Sequence, residues 1–352
     1  MIDNLNDLQE WISDLNTAIE TIDISDVSGN SVLVTGASGL ICSAVVDLLI
    51  RFNEDHSGKV NIYAAGRNPE KIKSRFGIYS ARPYFHTVEY DATKELKGFP
   101  NKIDYIIHGA GNAYPDAFMK EPVETMVSNF SGTHKLLDYA KDHKCKKILY
   151  ISSSEVYGKK EHEGSFREDD YGFIDILNPR SSYSIGKQAG ETLCVSYSDE
   201  YGLETVIARP GHIYGPTASK SDNRVASAFS YLAARGADIV MKSAGTQIRS
   251  YVYCVDCATA ILSILLKGKS GFSYNISNPE SVISIRKMAE IIAGEGGVAI
   301  LNEIPSDAER KGFNPMDNSS LDSTKLQELG WKGVFDAETG FKHTVDILRQ
   351  FM

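Results

Sequence analysis

A tyrosine and a lysine four positions apart, Tyr183 and Lys187, are the most informative reactive pair in the sequence. Residues at this spacing share one face of a helix, so the ammonium group can lie beside the phenol and lower its pKa. Upstream, the run Ser152-Ser153-Ser154 ends a predicted strand. A phenol beside a cation and a hydroxyl can move a proton to or from a substrate alcohol, so these residues predict acid–base chemistry.

A glycine-rich turn, TGASGLI over residues 35–41, lies far upstream, where the first predicted strand ends and a helix begins. Glycines there let the backbone turn sharply and approach a pyrophosphate, which the helix N-terminal amides favour. Cys42 replaces the third glycine of this pattern, which predicts a slightly wider spacing of helix and strand. Together with the Tyr183 and Lys187 pair, the turn predicts a nicotinamide dinucleotide site. The expected contacts are Gly36, Ser38, Gly39, Leu40 and Ile41.

The end of the second predicted strand bears on which dinucleotide is bound. An acidic residue there accepts hydrogen bonds from the adenosine ribose and favours NAD, but this chain has Gly66 and Arg67. Arg67 can meet a 2′-phosphate, so NAD is expected and NADP stays open. Asp91, after the third predicted strand, is a candidate for binding the adenine amine, with a local cap as its alternative role.

From Ser31 onward, short β-branched runs alternate with helical patterns, as in a parallel sheet covered by helices on both faces. This predicts an α/β fold, a Rossmann-type doubly wound parallel sheet with a smaller mixed C-terminal substrate lobe. The predicted divisions are a helical extension over residues 1–26, a dinucleotide-binding domain over 27–210 and a nucleotide-sugar lobe over 211–352, with some segments interleaved. The extension is expected to contain a helix near residues 8–19.

Composition narrows the function classes. The chain has 352 residues, is 42% hydrophobic and has 37 basic against 46 acidic residues, a net charge of −9. This acidic balance argues against nucleic acid as a partner. The sequence has no secretory signal pattern, no apolar run of the ~20 residues that a membrane helix needs, and only five scattered cysteines. A cytoplasmic protein without a membrane partner or a metal site is expected.

Five motifs occur in the order of a known family. They are TGASGLI, ISSSEVYG from Ile151, NPRSSYSIGKQAGETLC from Asn178, ARPGHIYGP from Ala208 and RSYVYCVD from Arg249. Together they resemble the extended short-chain dehydrogenases/reductases that modify nucleotide sugars, the NAD-dependent epimerase/dehydratase family. The resemblance extends from about Ser31 to Val345. It implies NAD in the Rossmann-type domain, a nucleoside diphosphate sugar, most simply a UDP-sugar, in the C-terminal lobe, and a homodimer built from two helices per subunit.

The resemblance also assigns roles to individual residues. The implied catalytic residues are Ser153, Tyr183, Lys187 and Glu155. Beyond the glycine turn, the implied dinucleotide contacts are Arg67, Asp91, Ala92, Gly109, Ala110, Gly111, Tyr183, Lys187 and Pro210. The implied substrate contacts are Tyr114, Ser154, His212 and Arg249.

Family members oxidise the sugar at C4, and residues near C5 and C6 decide the reaction that follows. In the 4,6-dehydratases an Asp-Glu pair follows the catalytic hydroxyl residue, and the aspartic acid protonates the departing C6 hydroxyl. Here Ser154 and Glu155 stand at those positions. A hydroxyl is a poor proton donor, so dehydration is disfavoured. The Ser-Glu pair, the NPRSSYSIGK run and the Tyr114 loop are most similar to the UDP-glucuronate decarboxylases, in which the C4 ketone lets the C5 carboxylate leave as carbon dioxide.

Several alternatives stay open. A 4-epimerase needs only the Ser-Tyr-Lys set, and Glu155 would then be a salt-bridged bystander in its loop. Arg249 can lie beside the C5 carboxylate or clamp the diphosphate. His212 replaces the asparagine that the family usually has there. Two further hypotheses are that the protein binds a nucleotide without catalysis, and that it carries out a net oxidation or reduction with exchangeable NADP.

Overall fold

A central parallel sheet organises the computed structural model, which describes residues 5–111, 113, 115–160, 164–305 and 316–352. Its seven strands are β1 Ser31–Thr35, β2 Asn61–Gly66, β3 Phe85–Glu89, β4 Tyr105–His108, β5 Lys147–Ile151, β6 Thr205–Pro210 and β10 Phe272–Ile276. They lie in the order β10-β6-β5-β4-β1-β2-β3, and all of their pairings are parallel. The strand order reverses between β1 and β4, and this crevice is where open α/β sheets bind ligands. The predicted Rossmann-type fold is confirmed.

Helices cover both faces of the sheet and build the remainder of the chain. They are α1 Gln9–Ile19, α2 Leu40–Asp55, α3 Pro69–Phe76, α4 Pro115–Lys120, α5 Pro122–Asp142, α6 Ser182–Tyr201, α7 Val225–Ala234, α8 Cys254–Lys267, α9 Ile285–Gly296, α10 Thr324–Gln327 and α11 Ala337–Arg349. In the described part of the chain, no helix combines the length and apolar character needed to cross a bilayer.

The C-terminal part adds two small sheets. They consist of β7 His212–Tyr214, β8 Ile239–Met241, β9 Ile248–Tyr253, β11 Val282–Ser284, β12 Ile300–Asn302 and β13 Asn318–Ser319. Strand β9 pairs with β7, β11 and β13, while β12 pairs with β8. Strand β10 returns from this part of the sequence to the edge of the central sheet beside β6.

The N-terminal helix α1 packs against α2, α8 and α11. Trp11 is fully buried there and its indole Nε1 donates to Asp47 Oδ2 on α2 at 3.2 Å. On the other side, Asp14 accepts a hydrogen bond from Tyr253 Oη at 2.8 Å, and its Oδ1 lies 2.9 Å from His343 Nδ1 on α11. The helix predicted near residues 8–19 therefore connects the central sheet layer to the C-terminal helices.

Candidate active site

The glycine turn lies where β1 ends and α2 begins. Gly36 has φ +71, and a Cβ there would come within 2.9 Å of the Gly109 carbonyl oxygen, so only glycine fits without strain. Gly39 is the N-cap of α2 and offers no side-chain hydrogen bond to the helix. The first amides of α2 therefore point into the crevice without a side-chain acceptor, which suits the pyrophosphate of a dinucleotide.

The end of β4 closes the other side of this crevice. Thr35 Oγ1 lies 2.8 Å from His108 Nδ1 and accepts the backbone N–H groups of Gly109 and Ala110, both at 3.2 Å. Burial lowers the pKa of His108 to about 3, so the imidazole is neutral at physiological pH. These bonds hold the Gly109 to Gly111 backbone against the glycine turn, where the sequence predicted dinucleotide contacts.

Asn129 on α5 is a polar residue of this cleft that sequence reasoning missed. It is 1% exposed, its Nδ2 donates to Thr125 O at 2.8 Å, and its buried Oδ1 has no hydrogen-bond partner among the residues that the structure describes. A Cβ on Gly111 would lie 3.1 Å from that oxygen, and one on Gly186 would lie 3.2 Å from Asn129 Cβ. The available sequence signal was Gly186, which lies between Tyr183 and Lys187 and permits this close helix contact.

The expected adenosine end of the cleft lies beyond β2 and β3. Arg67 is exposed after β2. Asp91 Oδ1 accepts the backbone N–H of Thr93 at 3.0 Å and its hydroxyl at 2.8 Å, so Asp91 does cap a local turn. Ala92 is buried, and its methyl group packs against Gly132 on α5. Adenine binding by Asp91 stays a prediction, because one carboxylate can both cap a turn and meet a ligand.

The predicted proton-transfer group assembles beside the end of β5. Tyr183 is 6% exposed, and its ring stacks on Phe118 with ring centroids 5.1 Å apart. Burial raises the pKa of Tyr183 to about 12, and a hydrogen bond with Ser153 opposes this rise. Lys187 Nζ lies 6.0 Å from the centre of the Tyr183 ring and donates to Ile151 O at 2.8 Å. The structure thus brings Ser153, Tyr183 and Lys187 together.

The Lys187 ammonium bonds to the protein backbone. It donates to the end of β5, and burial lowers the pKa of Lys187 itself to about 8. The phenol pKa of Tyr183 is raised, because desolvation of a buried phenol outweighs the hydrogen bond from Ser153. A lowering of the Tyr183 pKa by Lys187 stays a prediction.

Glu155 lies beside this group in a salt bridge. Arg180 Nη1 is 3.3 Å from Glu155 Oε2, and Nη2 is 3.4 Å from Oε1, so the guanidinium meets the carboxylate with two nitrogens. Ser184 Oγ is 3.5 Å from the same Oε2. Ser154 is buried next to Glu155. The structural alternative considered for Glu155 is thus realised in part, and Arg180 is a second residue whose role the sequence did not disclose.

The predicted substrate residues do not share one local environment. Tyr114 falls outside the described residues. His212 lies on β7 and burial lowers its pKa to about 3, with smaller effects of Arg249 and Arg224. Its Nδ1 has no hydrogen-bond partner. Arg249 on β9 is 3% exposed and donates to the carbonyl oxygens of Ile248 at 2.8 Å and Met316 at 2.9 Å. Backbone carbonyl oxygens therefore already accept some of the N–H donors of the Arg249 guanidinium.

The charge of Arg224 acts on both the proton-transfer group and His212, and sequence reasoning did not single this residue out. Its charge lowers the pKa values of both Tyr183 and His212, although burial dominates both shifts, so it lies near both residues. Its own guanidinium pairs with Asp222 through Nε at 2.9 Å.

The geometry fits a nicotinamide dinucleotide. A glycine cradle, uncapped helix amides and a buried Asn129 oxygen without a partner line one crevice that ends at Tyr183 and Lys187. Among the described residues, no group of three or more His, Cys, Asp or Glu side chains could hold a metal ion. The residues that would contact the dinucleotide are those of the glycine turn, the Gly109 to Gly111 backbone and Lys187.

Comparisons with known proteins agree with this geometry. A family model described as the NAD dependent epimerase/dehydratase family matches residues 32–277. UDP-glucuronic acid decarboxylase 1 of Xenopus tropicalis is 28% identical over 331 residues, which cover 93% of this chain and 74% of that protein. UDP-glucuronic acid decarboxylase 6 of Arabidopsis thaliana is 30% identical over 310 residues, covering 87% of this chain and 84% of that protein.

A solved structure of similar fold is the UDP-glucuronic acid 4-epimerase of Bacillus cereus in complex with UDP-glucuronic acid and NAD. It has a TM-score of 0.76 and 21% identity, and the match covers 92% of this chain and 100% of that chain. At this identity the likeness concerns the fold. The predicted resemblance and the predicted cofactor NAD are confirmed by the family match. The chain is an enzyme of the NAD dependent epimerase/dehydratase family, and its cofactor is NAD.

Proposed function

We propose that the protein converts UDP-glucuronate to the corresponding UDP-pentose by decarboxylation at C5. The observation that carries this proposal is the Ser154 and Glu155 pair beside Ser153 and Tyr183. A hydroxyl at position 154 cannot readily protonate a leaving C6 hydroxyl, so dehydration is disfavoured. Loss of carbon dioxide needs no such acid. The decarboxylases of Xenopus tropicalis and Arabidopsis thaliana, similar over most of the chain, support the same reaction.

In the proposed reaction, Tyr183 accepts the proton of the C4 hydroxyl while Ser153 holds the oxygen by a hydrogen bond. NAD, when bound, supplies the site that accepts and later returns the C4 hydrogen with its electron pair. The C4 ketone makes the C5 carboxylate a β-keto acid, so the C5–carboxylate bond breaks and its electrons form an enolate. Tyr183 and Ser153 stabilise this oxyanion, C5 takes up a proton from solvent, and Tyr183 finally returns its proton to the C4 oxygen.

Lys187 serves this cycle as a buried cation on the cofactor side of the phenol. Burial lowers its pKa to about 8, so it is still charged at neutral pH. A cation there favours the phenolate over the phenol during each proton transfer. The glycine turn at Gly36 and Gly39, with the Gly109 to Gly111 backbone, would hold the pyrophosphate end. Arg67, Asp91 and Ala92 are proposed at the adenosine end, and Pro210 on β6 is proposed near the nicotinamide.

The test is to incubate the purified protein separately with UDP-glucuronate, UDP-glucose, UDP-GlcNAc and dTDP-glucose and to analyse products by mass spectrometry. Decarboxylation removes about 44 mass units, dehydration removes about 18, and epimerisation changes only NMR couplings. Loss of carbon dioxide from UDP-glucuronate is expected. Turnover of the neutral sugars with UDP-glucuronate untouched would overturn the proposal.

A second candidate is 4-epimerisation, and the Glu155–Arg180 salt bridge favours it. A carboxylate that a guanidinium holds by two nitrogens is not free to contact C5, and epimerisation needs no group there. This reaction would still use Ser153, Tyr183 and Lys187. In the same assay, epimerisation would leave the mass of the UDP-sugar unchanged and invert the hydroxyl at C4.

We also infer a homodimer formed by α5 and α6. Exposed apolar side chains line one face of α5 at helical spacing, and α6 packs beside it. They are Val123, Met126, Val127 and Phe130 on α5, with Val195 on α6. A second copy of the same surface would bury this stripe. Light scattering should report a molar mass of twice the chain mass, and Phe130→Glu should reduce the molar mass to that of a single chain.

A cytoplasmic location is part of the same proposal. The five cysteines are all free and buried, which fits a reducing compartment. Fractionation of cells that produce the protein, with a membrane and a secreted marker, tests this directly. Recovery outside the soluble fraction would contradict it.

A further inference from the structure

We infer that Arg180 is the specificity-determining residue that binds the C5 carboxylate of the sugar and so allows this cleft to accept an anionic UDP-sugar. This inference rests on the proposed function and names the group of the substrate that distinguishes it from neutral UDP-sugars. The residue lies in the short 3₁₀ helix Pro179–Ser181, directly before α6. Neither the proposed proton transfers nor the dinucleotide site uses it.

The placement of Arg180 is set by several contacts. Asn178 Oδ1 caps the turn by accepting the Arg180 backbone N–H at 3.0 Å. The guanidinium carbon lies 5.3 Å from the centre of the Phe118 ring, and Phe118 stacks on Tyr183. The Arg180 side chain therefore points toward the phenol that handles the C4 hydroxyl. The carbon next to C4 in the sugar ring is C5, so its substituent enters the same neighbourhood.

Charge explains why a cation is needed there. Glu155 is an ionisable carboxyl group beside Tyr183, and its charge raises the phenol pKa after the larger effect of burial. A second carboxylate on the substrate would be repelled by Glu155 unless a cation lies between them. Arg180 is already the partner of Glu155, at 3.3 Å and 3.4 Å. Its side chain is 21% exposed, so it can be reached from the cleft.

The donor geometry of arginine permits this double role. A guanidinium has five N–H donors in a plane, and the contacts to Glu155 use one on each of two nitrogens. The remaining donors can meet a second carboxylate in the same plane. Arg249 is less suited, because it is 3% exposed and donates to backbone carbonyls. Arg224 is less suited because its Nε contacts both oxygens of Asp222 at 2.9 Å and 3.1 Å, which is tighter than the contact of Arg180 with Glu155.

The experiment compares binding of UDP-glucuronate with binding of UDP-xylose, which lacks only the carboxylate, by calorimetry on NAD-loaded protein that carries Tyr183→Phe, so that the titrated UDP-glucuronate is not consumed. The variants are Arg180→Gln and Arg180→Lys, with Arg167→Gln as a matched control. Arg167 is exposed on the same stretch of chain and pairs weakly with Asp169 at 4.0 Å. Arg180→Gln should weaken UDP-glucuronate binding by about tenfold to a hundredfold and leave UDP-xylose within about twofold, because a charged hydrogen bond is lost only with the former.

Arg180→Lys keeps the charge without the planar fork, so an intermediate loss is expected for UDP-glucuronate. Arg167→Gln should change neither affinity. If the wild-type protein does not prefer UDP-glucuronate and releases no carbon dioxide from it, the proposed function and this inference both fail. The wild-type protein is expected to prefer UDP-glucuronate and to release carbon dioxide from it. If it does so and the Arg180 variants keep the wild-type ratio of the two affinities, this inference alone is overturned. Melting temperatures of all variants separate lost binding from lost folding.

Discussion

Two arginine–carboxylate pairs in this molecule differ in setting and, we propose, in purpose. Asp47 and Arg75 lie beneath the N-terminal helix, 2.5 Å apart, and both side chains are 0% exposed. Glu155 and Arg180 lie at the cleft, 3.3 Å apart, with 22% and 21% of their side chains exposed. Burial raises the pKa of Asp47, and the Arg75 charge opposes that rise.

The partners of each pair explain the difference. The Asp47 carboxylate also accepts hydrogen bonds from Asn6 Nδ2 at 2.6 Å and from Trp11 Nε1 at 3.2 Å. That pair is closed to solvent and specifies where the N-terminal segment docks. Among the described residues, Glu155 is the side chain that the Arg180 guanidinium donates to, through one N–H on each of two nitrogens, so further donors stay available. A fully buried pair thus supports structure, whereas a partly exposed pair that a ligand can reach can take part in binding.

The largest expected effect is on chemistry at the cleft. Tyr183→Phe should lower turnover of UDP-glucuronate by about 10²- to 10⁴-fold, because the proton acceptor for the C4 hydroxyl is lost. Stability should change by no more than about 1 kcal/mol, since one hydrogen bond disappears. Turnover is measured by mass spectrometry and stability by denaturant unfolding. Activity near the wild-type level would remove the phenol from the mechanism and with it the contrast between the two regions.

Next in size is the effect of breaking the buried pair. Arg75→Met should cost about 3–5 kcal/mol of unfolding free energy, because it leaves the Asp47 carboxylate buried without its cation. Arg180→Met is the matched control, and a partly exposed pair should cost at most about 1 kcal/mol. Urea unfolding of both variants measures the difference. Equal losses would mean that burial does not distinguish the two pairs.

The change of unfolding free energy with pH should be smaller than the effect of Arg75→Met, and it should arise from buried histidines on the cleft side. Burial lowers the pKa values of His108 and His212 to about 3, so in the folded state both stay neutral below pH 6.5 while the unfolded chain takes up protons. The unfolded state then binds more protons, so stability falls as pH falls from about 6.5, by up to about 1.4 kcal/mol per pH unit for each histidine. Urea unfolding between pH 7 and 5.5 measures the slope.

His108→Asn should reduce that fall in stability by up to about 1.4 kcal/mol per pH unit, whereas Asp256, whose pKa burial raises to about 7, contributes with the opposite sign in both proteins. The measurement is again urea unfolding across the same pH range. A variant slope equal to the wild-type slope would show that His108 does not carry the effect.

The smallest effect is expected at the N-terminal helix, with the opposite sign. The hydrogen bond with Asp14 raises the pKa of His343, so its contribution is fully present below pH 6.5 and is lost as pH rises through the raised folded pKa. The His343 side chain is 40% exposed, so His343→Gln should cost less than about 1 kcal/mol at pH 6 and nothing at pH 9. Unfolding at the two pH values checks this. A loss that persists at pH 9 would point to packing instead of charge.

Much of the fold could be predicted because local pattern and global architecture agree. The β-branched runs in the sequence predict strands over residues 31–35, 61–66 and 205–210, which coincide with β1, β2 and β6. They also predict strands over residues 104–111 and 147–154, which extend three residues too far at their C-terminal ends, since β4 ends at His108 and β5 at Ile151. Those added residues include Gly109 and Ser153, which leave the sheet to form the cleft. Strand ends are difficult to predict where the chain turns toward a site.

The sequence by itself determined the alternation of strands and helices, the glycine turn and the four-residue spacing of Tyr183 and Lys187, because these depend on neighbours along the chain. Only the tertiary structure decided that Arg180 pairs with Glu155, that Asn129 faces Gly111, and that Lys187 bonds to the end of β5. These contacts join residues of separate elements. No periodicity encodes them, because they depend on how the helices pack over the sheet and on how much water burial removes from each charged group.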